Sequence, residues 1–411
     1  TTGANNTGLG SSALVANTTG ANNVSVGVEA LQANTTANNN TAVGYHAGYA
    51  NTTGTRNAFF GGEAGRLNTG SYNNAFGYQS LTNNTSGQRN TAFGDISLTT
   101  NTTASDNTAI GWGAAVNNST GANNTAVGSQ SLYNNTTASN NTAVGYHSSR
   151  DNTTGSTNAS FGVNSLRNNT TGSSNVAIGE AALLANTSAS NNSAIGQLSL
   201  FDNTTGAQNT AVGKSALENN TTANANTAVG YQSLYANTTG ANNTSIGYQS
   251  LLDNTTGAQN TGIGMYALAN NTTASDNFAG GYNALGANTT GSNNVGIGHR
   301  ALQANTTASY STAVGYHALK NNTAERSTAF GRTTLEANTT GARKTAFGIA
   351  SSAVKKTSGF TTTPCSCTFS LNTPSRNHNT VRSPPALSTT SSSRHVSVRA
   401  RATSAPHTPS H

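Results

Sequence analysis

The sequence predicts an all-β protein, a parallel β-solenoid (β-roll) of about 20 coils with a 17-residue repeat, followed by a disordered tail. Three observations predict it. A glycine returns at fixed intervals from Gly10 to Gly348: of the 20 intervals between these 21 glycines, 18 are 17 residues and two are 16. Apolar residues keep fixed offsets from that glycine, with no helical period. The repeat stops near residue 350, where the composition changes abruptly, which divides the chain into a solenoid at 1–350 and a basic Ser/Thr/Pro-rich tail at 351–411.

With the glycine as position zero, the consensus reads N-T-A-V-G-Y-Q-S-L-x-A-N-T-T-G-A-N. Position −1 is large and apolar in 20 of 21 repeats (Val26, Val43, Phe60, Ile110) and fails only at Gly280. Position +4 is Leu in 16 of 21, for example Leu31, Leu132 and Leu234. These two rows are the expected interior. Position −2 is Ala, Gly or Ser except at Phe59. Side chains alternate along a strand, so −2 and the glycine are expected on the face opposite −1. That small-residue face either permits tight coils or forms a contact between subunits.

The segment N-T-T-G-A-N-N carries turn chemistry. Asn stands at +7 in every complete repeat, and both short repeats lose a Thr from this loop, beside Asn68 and Asn322. A loop absorbs such a deletion, whereas a core strand does not. The +7 row includes Asn17, Asn34, Asn51, Asn101, Asn135, Asn152, Asn169, Asn237, Asn254, Asn288 and Asn305. It is a candidate ladder of stacked amides, or a row of N-glycosylation acceptors, because Thr or Ser follows two residues later in most loops. Loop residues also echo at 85 residues, or five coils, a sign of block duplication.

The segments NTAVG (Asn40 to Gly44, Asn141 to Gly145, Asn226 to Gly230), NTAIG (Asn107 to Gly111) and NVAIG (Asn175 to Gly179) resemble the head repeats of trimeric autotransporter adhesins. NTAVGYQSLYANTTGANN (Asn226 to Asn243) is similar to repeats in viral and phage tail fibres and bacterial surface proteins. The likeness spans about residues 1–350. It implies a β-roll packed as three chains, exposed on a cell or virion surface. The adhesin head repeat is usually shorter than this one, and the residues after the repeats do not read as a stalk, membrane-anchor barrel or chaperone domain.

Charge and chemistry narrow the function. Residues 1–350 hold 12 basic and 12 acidic residues, while the tail holds the other seven basic residues and no acid. The body is therefore not expected to bind nucleic acid, and the basic tail suits an anionic surface. Both cysteines, Cys365 and Cys367, lie in the tail, too few for a disulfide framework or a complete zinc site. The chain has no long apolar run and starts inside a repeat without a signal peptide, so it is expected to be a mature product or a fragment with no transmembrane segment.

No catalytic constellation, metal cluster or phosphate loop is visible, so no enzyme activity and no cofactor are expected. His46, His147 and His317 share position +2 on distant coils and are expected to be solvated. The row at +1 (Tyr45, Tyr78, Trp112, Tyr146, Tyr231, Tyr248, Tyr282 and Tyr316) is a candidate contact for carbohydrate or protein, or else the rim of the core. The expected function is an adhesive rod or fibre shaft, a homotrimer, exposed at a cell or virion surface and mediating attachment. The alternative is an ice- or crystal-binding solenoid.

Overall fold

The structure is a computed structural model that describes residues 2–351. The cysteine pair and the basic tail lie outside these residues. The described chain is a single β-solenoid, with 21 three-residue strands from Thr7–Leu9 to Thr345–Phe347. Each strand pairs in parallel with the strand of the next coil. Thr210, Ala211 and Val212 face Thr227, Ala228 and Val229, for example. The two 16-residue repeats keep this register, with Ala58 opposite Asn74 and Thr312 opposite Thr328. The missing residue is absorbed in the loop, as the sequence predicts.

Between strands the backbone stays hydrogen-bonded to both neighbouring coils. Three positions per coil take left-handed angles, as at Gln232 (φ 50°), Leu234 (φ 54°) and Asn242 (φ 60°). Each such residue turns its N–H along the rod axis. Gln232 donates to Lys214 O (3.1 Å) in the preceding coil, and Leu234 to Ser250 O (2.9 Å) in the following one. A left-handed residue with a side chain costs on the order of 1–2 kcal/mol. The intercoil bonds offset that cost by leaving few buried peptide groups unpaired. At +4 the described residues are Leu, Ala, Ser or Gly, never β-branched, which a left-handed angle favours, although Ile96, Thr157 and Thr333 adopt it at other positions.

The interior differs from the sequence expectation in one respect: the strand is inverted. Position −2 points inward and −1 points out. Ala177 is 0% exposed while Ile178 beside it is 39% exposed. The core consists of the −2 alanines, the small residues at +3 and the leucines at +4, exemplified by Ala211, Ala216 and Leu217. The reason is volume. Seventeen residues closed into one coil leave room for a single Leu across from an Ala, and a second large side chain at −1 has no space there.

The glycine row takes the first of the two roles open to it, the close approach of coils. These glycines have φ near +130°, and a Cβ on Gly145 would lie 2.5 Å from the carbonyl oxygen of Gly162. The backbone that approaches so closely belongs to the next coil of the same chain. The small-residue rows at −2 and zero are therefore explained inside one solenoid, as tight-coil packing, and not as a surface for another subunit.

Candidate functional site

The inversion of the strand creates the outward face. Positions −1 and +1 both project from the solenoid, so the large apolar row and the Tyr/Trp row run side by side along one surface. Exposed members include Phe93, Ile110, Ile195, Ile263 and Phe330 at −1, and Tyr45, Tyr78, Trp112, Tyr146, Tyr231, Tyr248 and Tyr316 at +1. Tyr282 belongs to the same row and is half-buried.

Stacking within these rows is uneven. Phe60, Phe76 and Phe93 form a column, with centroids 4.8 and 5.5 Å apart. Tyr231 stacks on Tyr248 at 5.3 Å. Tyr282 and Tyr316 are joined through His299, at 5.1 Å on each side. Tyr45, Tyr78, Trp112 and Tyr146 stand on separate coils with no aromatic of their own row beside them. The expected row is thus a continuous surface feature only in its C-terminal third. Tyr266 at +2 completes that segment, packing edge-on against Tyr248 and Tyr282 at 5.6 and 6.3 Å. The sequence row missed it because it stands one position away from the tyrosines it touches.

The three +2 histidines are not free in solvent, contrary to expectation. Each stacks on the tyrosine before it: Tyr45–His46 at 3.8 Å, Tyr146–His147 at 3.7 Å and Tyr316–His317 at 3.9 Å. His46 Nε2 lies 2.6 Å from Glu29 Oε2, and His317 Nδ1 lies 3.2 Å from Glu336 Oε1. Partial burial, then Arg150 and Arg167, hold His147 below the usual histidine range. Burial and then Lys320 do the same to His317, against the pull of Glu336. A Tyr and a His in sequence, with the left-handed angle at +2, place the two rings face to face.

The +7 asparagines form a buried ladder. Asn17, Asn34, Asn51, Asn101, Asn135, Asn152, Asn169, Asn237, Asn254, Asn288 and Asn305 are all buried. Asn169 is representative: its Nδ2 donates to Asn152 Oδ1 (2.7 Å) and to Gly172 O (2.9 Å), and its Oδ1 accepts from Asn186 (2.7 Å). The nitrogen a glycan would need is engaged in that ladder. A second ladder runs at −4, where Asn stands in 18 of 21 repeats and gives way to Ser311, Ser327 and Lys344 at the end. Asn141 Oδ1 accepts the backbone N–H of Asn158 (2.9 Å), and Asn141 Nδ2 donates to Gly155 O (3.0 Å). Both ladders tie the loop of each coil to its neighbours, so these asparagines hold the shape that presents the outward face.

Among the described residues, no group of three or more His, Cys, Asp or Glu is placed to hold a metal ion, and no helix is long and apolar enough to cross a membrane. Exposed ion pairs such as Arg89 Nε–Asp106 Oδ1 (2.6 Å) join adjacent coils and contribute little in open solvent. No protein-family model matches the chain, and no curated protein matches it.

Proposed function

We propose that the chain is a structural rod that packs lengthwise against copies of itself and serves attachment at a cell or virion surface. One observation carries this reading: an outward apolar row at −1, interrupted once in 21 repeats, that no other row of the described residues covers. Soluble monomers rarely carry so long a continuous apolar strip. A second copy in register would match it coil for coil, because both have the same repeat.

Magnitudes favour association. Withdrawing each half-exposed Ile or Phe from water stabilises by roughly 1 kcal/mol. Over the 12 Ile and Phe of the row, with a smaller share from its less exposed valines, the sum reaches about 15 kcal/mol, at the upper end of the ~4–15 kcal/mol that association costs. Three copies around one axis would bring all three rows to a common centre, the arrangement that the resemblance to trimeric adhesin heads implies. The receptor-contacting surface then falls to the +1 aromatics at the margin of that contact. In this reading the protein is not an enzyme.

Mass measurement in solution by light scattering tests the assembly. The expected result is a trimer for the native chain, and monomers when Ile178, Ile195 and Val212 are all replaced by Lys. A native chain that stays monomeric at micromolar concentration contradicts it.

The ice-binding alternative keeps one observation in its favour. Thr at −3 forms a half-exposed row on the same strand face, as at Thr125, Thr142, Thr210 and Thr227. Its outward neighbour at −1 is apolar, so the face is half hydroxyl and half hydrocarbon. Clear thermal hysteresis in a freezing assay would move this reading to first place.

A further inference from the structure

Position +5 carries a side chain of at least Thr size in most coils, including Leu184, Phe201, Tyr235, Leu252 and Gln303. Two consecutive coils break this rule, with Ala269 and Gly286. Their truncation opens a notch of about 300 Å³ in the side of the solenoid, lined in addition by Tyr266, Asn270, Asn283 and Gln303. A cavity of this size accepts one small ligand unit.

The chemistry of the lining is specific. It contains no charged residue, one aromatic ring and three carboxamides. Among the described residues, none of these three carboxamides makes a hydrogen bond to the protein through its side chain. Elsewhere the equivalent groups pair between coils: Gln249 Nε2 donates to Gln232 Oε1 (2.7 Å) and Asn117 Nδ2 to Asn134 Oδ1 (3.1 Å). At the notch the Asn283 carboxamide instead lies over Gly286, in the space a side chain there would occupy. Tyr266 lies across its neighbours at 85° and 80°, unlike Tyr231 and Tyr248, which stack at 19°.

We infer that this notch binds a neutral saccharide unit. A pyranose has an apolar C–H face that suits an aromatic ring and a rim of hydroxyls that both donate and accept. Free carboxamides offer the matching pair of functions without charge. The Tyr282–His299–Tyr316 stack, half-buried at Tyr282 and His299 and exposed at Tyr316, begins one coil away and gives a longer glycan a surface along which to continue. This deepens the attachment reading by giving the receptor a chemical class, and it rests on that reading for its biological purpose. The test separates the two, because filling the notch leaves the −1 row and the assembly of copies untouched.

The experiment titrates the full chain with methyl glycosides of glucose, galactose, mannose and N-acetylglucosamine, and with their trisaccharides. Binding is followed by saturation-transfer NMR and calorimetry. Ala269→Leu with Gly286→Gln fills the notch using residues already present at this position in other coils. Asn283→Ala with Gln303→Ala removes the amides without filling it. Binding of at least one neutral sugar at about millimolar strength or better is expected, weakened ~10-fold or more in both variants. The unfolding midpoint and the mass in solution should stay unchanged. Either no binding of any of these sugars by the native chain, or equal binding by the filled variant, overturns the assignment.

Discussion

The ring of Phe59 occupies the space that a side chain on Gly48 would need: a Cβ there would lie 2.8 Å from Phe59 Cδ2. Gly65, in the following coil, is blocked by the same ring. Phe59 is the one large residue in the −2 row, and Gly48 and Gly65 are the two glycines in the +4 row. The three departures from the repeat are therefore a single event, one large side chain exchanged for two leucines on either side of it. Core volume is conserved across coils, not residue by residue.

The exchange predicts a rescue. Phe59→Ala alone leaves a cavity and should destabilise the solenoid by about 3–5 kcal/mol. Gly48→Leu with Gly65→Leu alone should also destabilise it, by overpacking. All three together restore the consensus and should return stability close to native, measured as the denaturant midpoint. A triple variant no better than the singles would show that these residues do not share one space.

The polar ladder predicts a cost of a different kind. Asn169→Ala removes the donor to Asn152 Oδ1 and the acceptor of one Asn186 Nδ2 hydrogen in a buried site, while Gly172 O keeps Asn158 Nδ2 and Asn186 Nδ2 keeps Ala189 O. The expected loss is about 2–4 kcal/mol, well above that of a surface Asn→Ala change. Hydrogen exchange should show faster opening of the flanking coils. Unchanged protection there would argue against the ladder.

Close approach of coils predicts that Gly145→Ala is disruptive despite its small size. The added methyl meets the Gly162 carbonyl, and alanine is strained at φ 134°. By contrast Gly62→Ala lies at an open position, where the nearest atom to a new Cβ is Tyr78 Cδ2 at 3.4 Å. Thermal unfolding should separate the two clearly, with only the first lowering the midpoint by several degrees.

Acid should weaken the solenoid through the +2 histidines. His147 and His317 have folded pKa values held below the ordinary 6.5. As pH falls past 6.5 the unfolded chain takes up protons first, so stability present at neutral pH is lost until the folded value is passed. Asp202 and Asp253, raised by burial, act in the opposite direction at lower pH, in the carboxylate range. The unfolding midpoint should fall as the pH drops below about 6.5. Replacing His147 and His317 by Gln, the residue at +2 in Gln130 and Gln232, should flatten that slope. An undiminished slope in the double variant would rule these two groups out.

Much of this architecture is legible in the sequence because the repeat is a physical ruler. Gly145 and Gly162 must superpose for the backbone to close, so their spacing gives the coil length directly. The loop deletions beside Asn68 and Asn322 mark which segment tolerates change. The direction of the strand was not legible, because alternation pairs −2 with zero but does not say which side is inside. Hydrophobicity favours Ile178 for the core over Ala177, whereas the volume left by Leu183 admits only the alanine. The notch was equally hidden: Ala269 and Gly286 read as ordinary small residues until the coils are stacked and their absent side chains fall side by side.

Distances between spin labels on equivalent positions test the stacking most directly. With Cys365 and Cys367 replaced by Ser, labels are placed at Tyr146→Cys with Tyr231→Cys, five coils apart, and at Tyr146→Cys with Tyr316→Cys, ten coils apart. At about 4.8 Å per coil the separations should be about 24 and 48 Å, doubling with coil number. Separations that do not scale with the number of intervening repeats would contradict the solenoid and everything built on it.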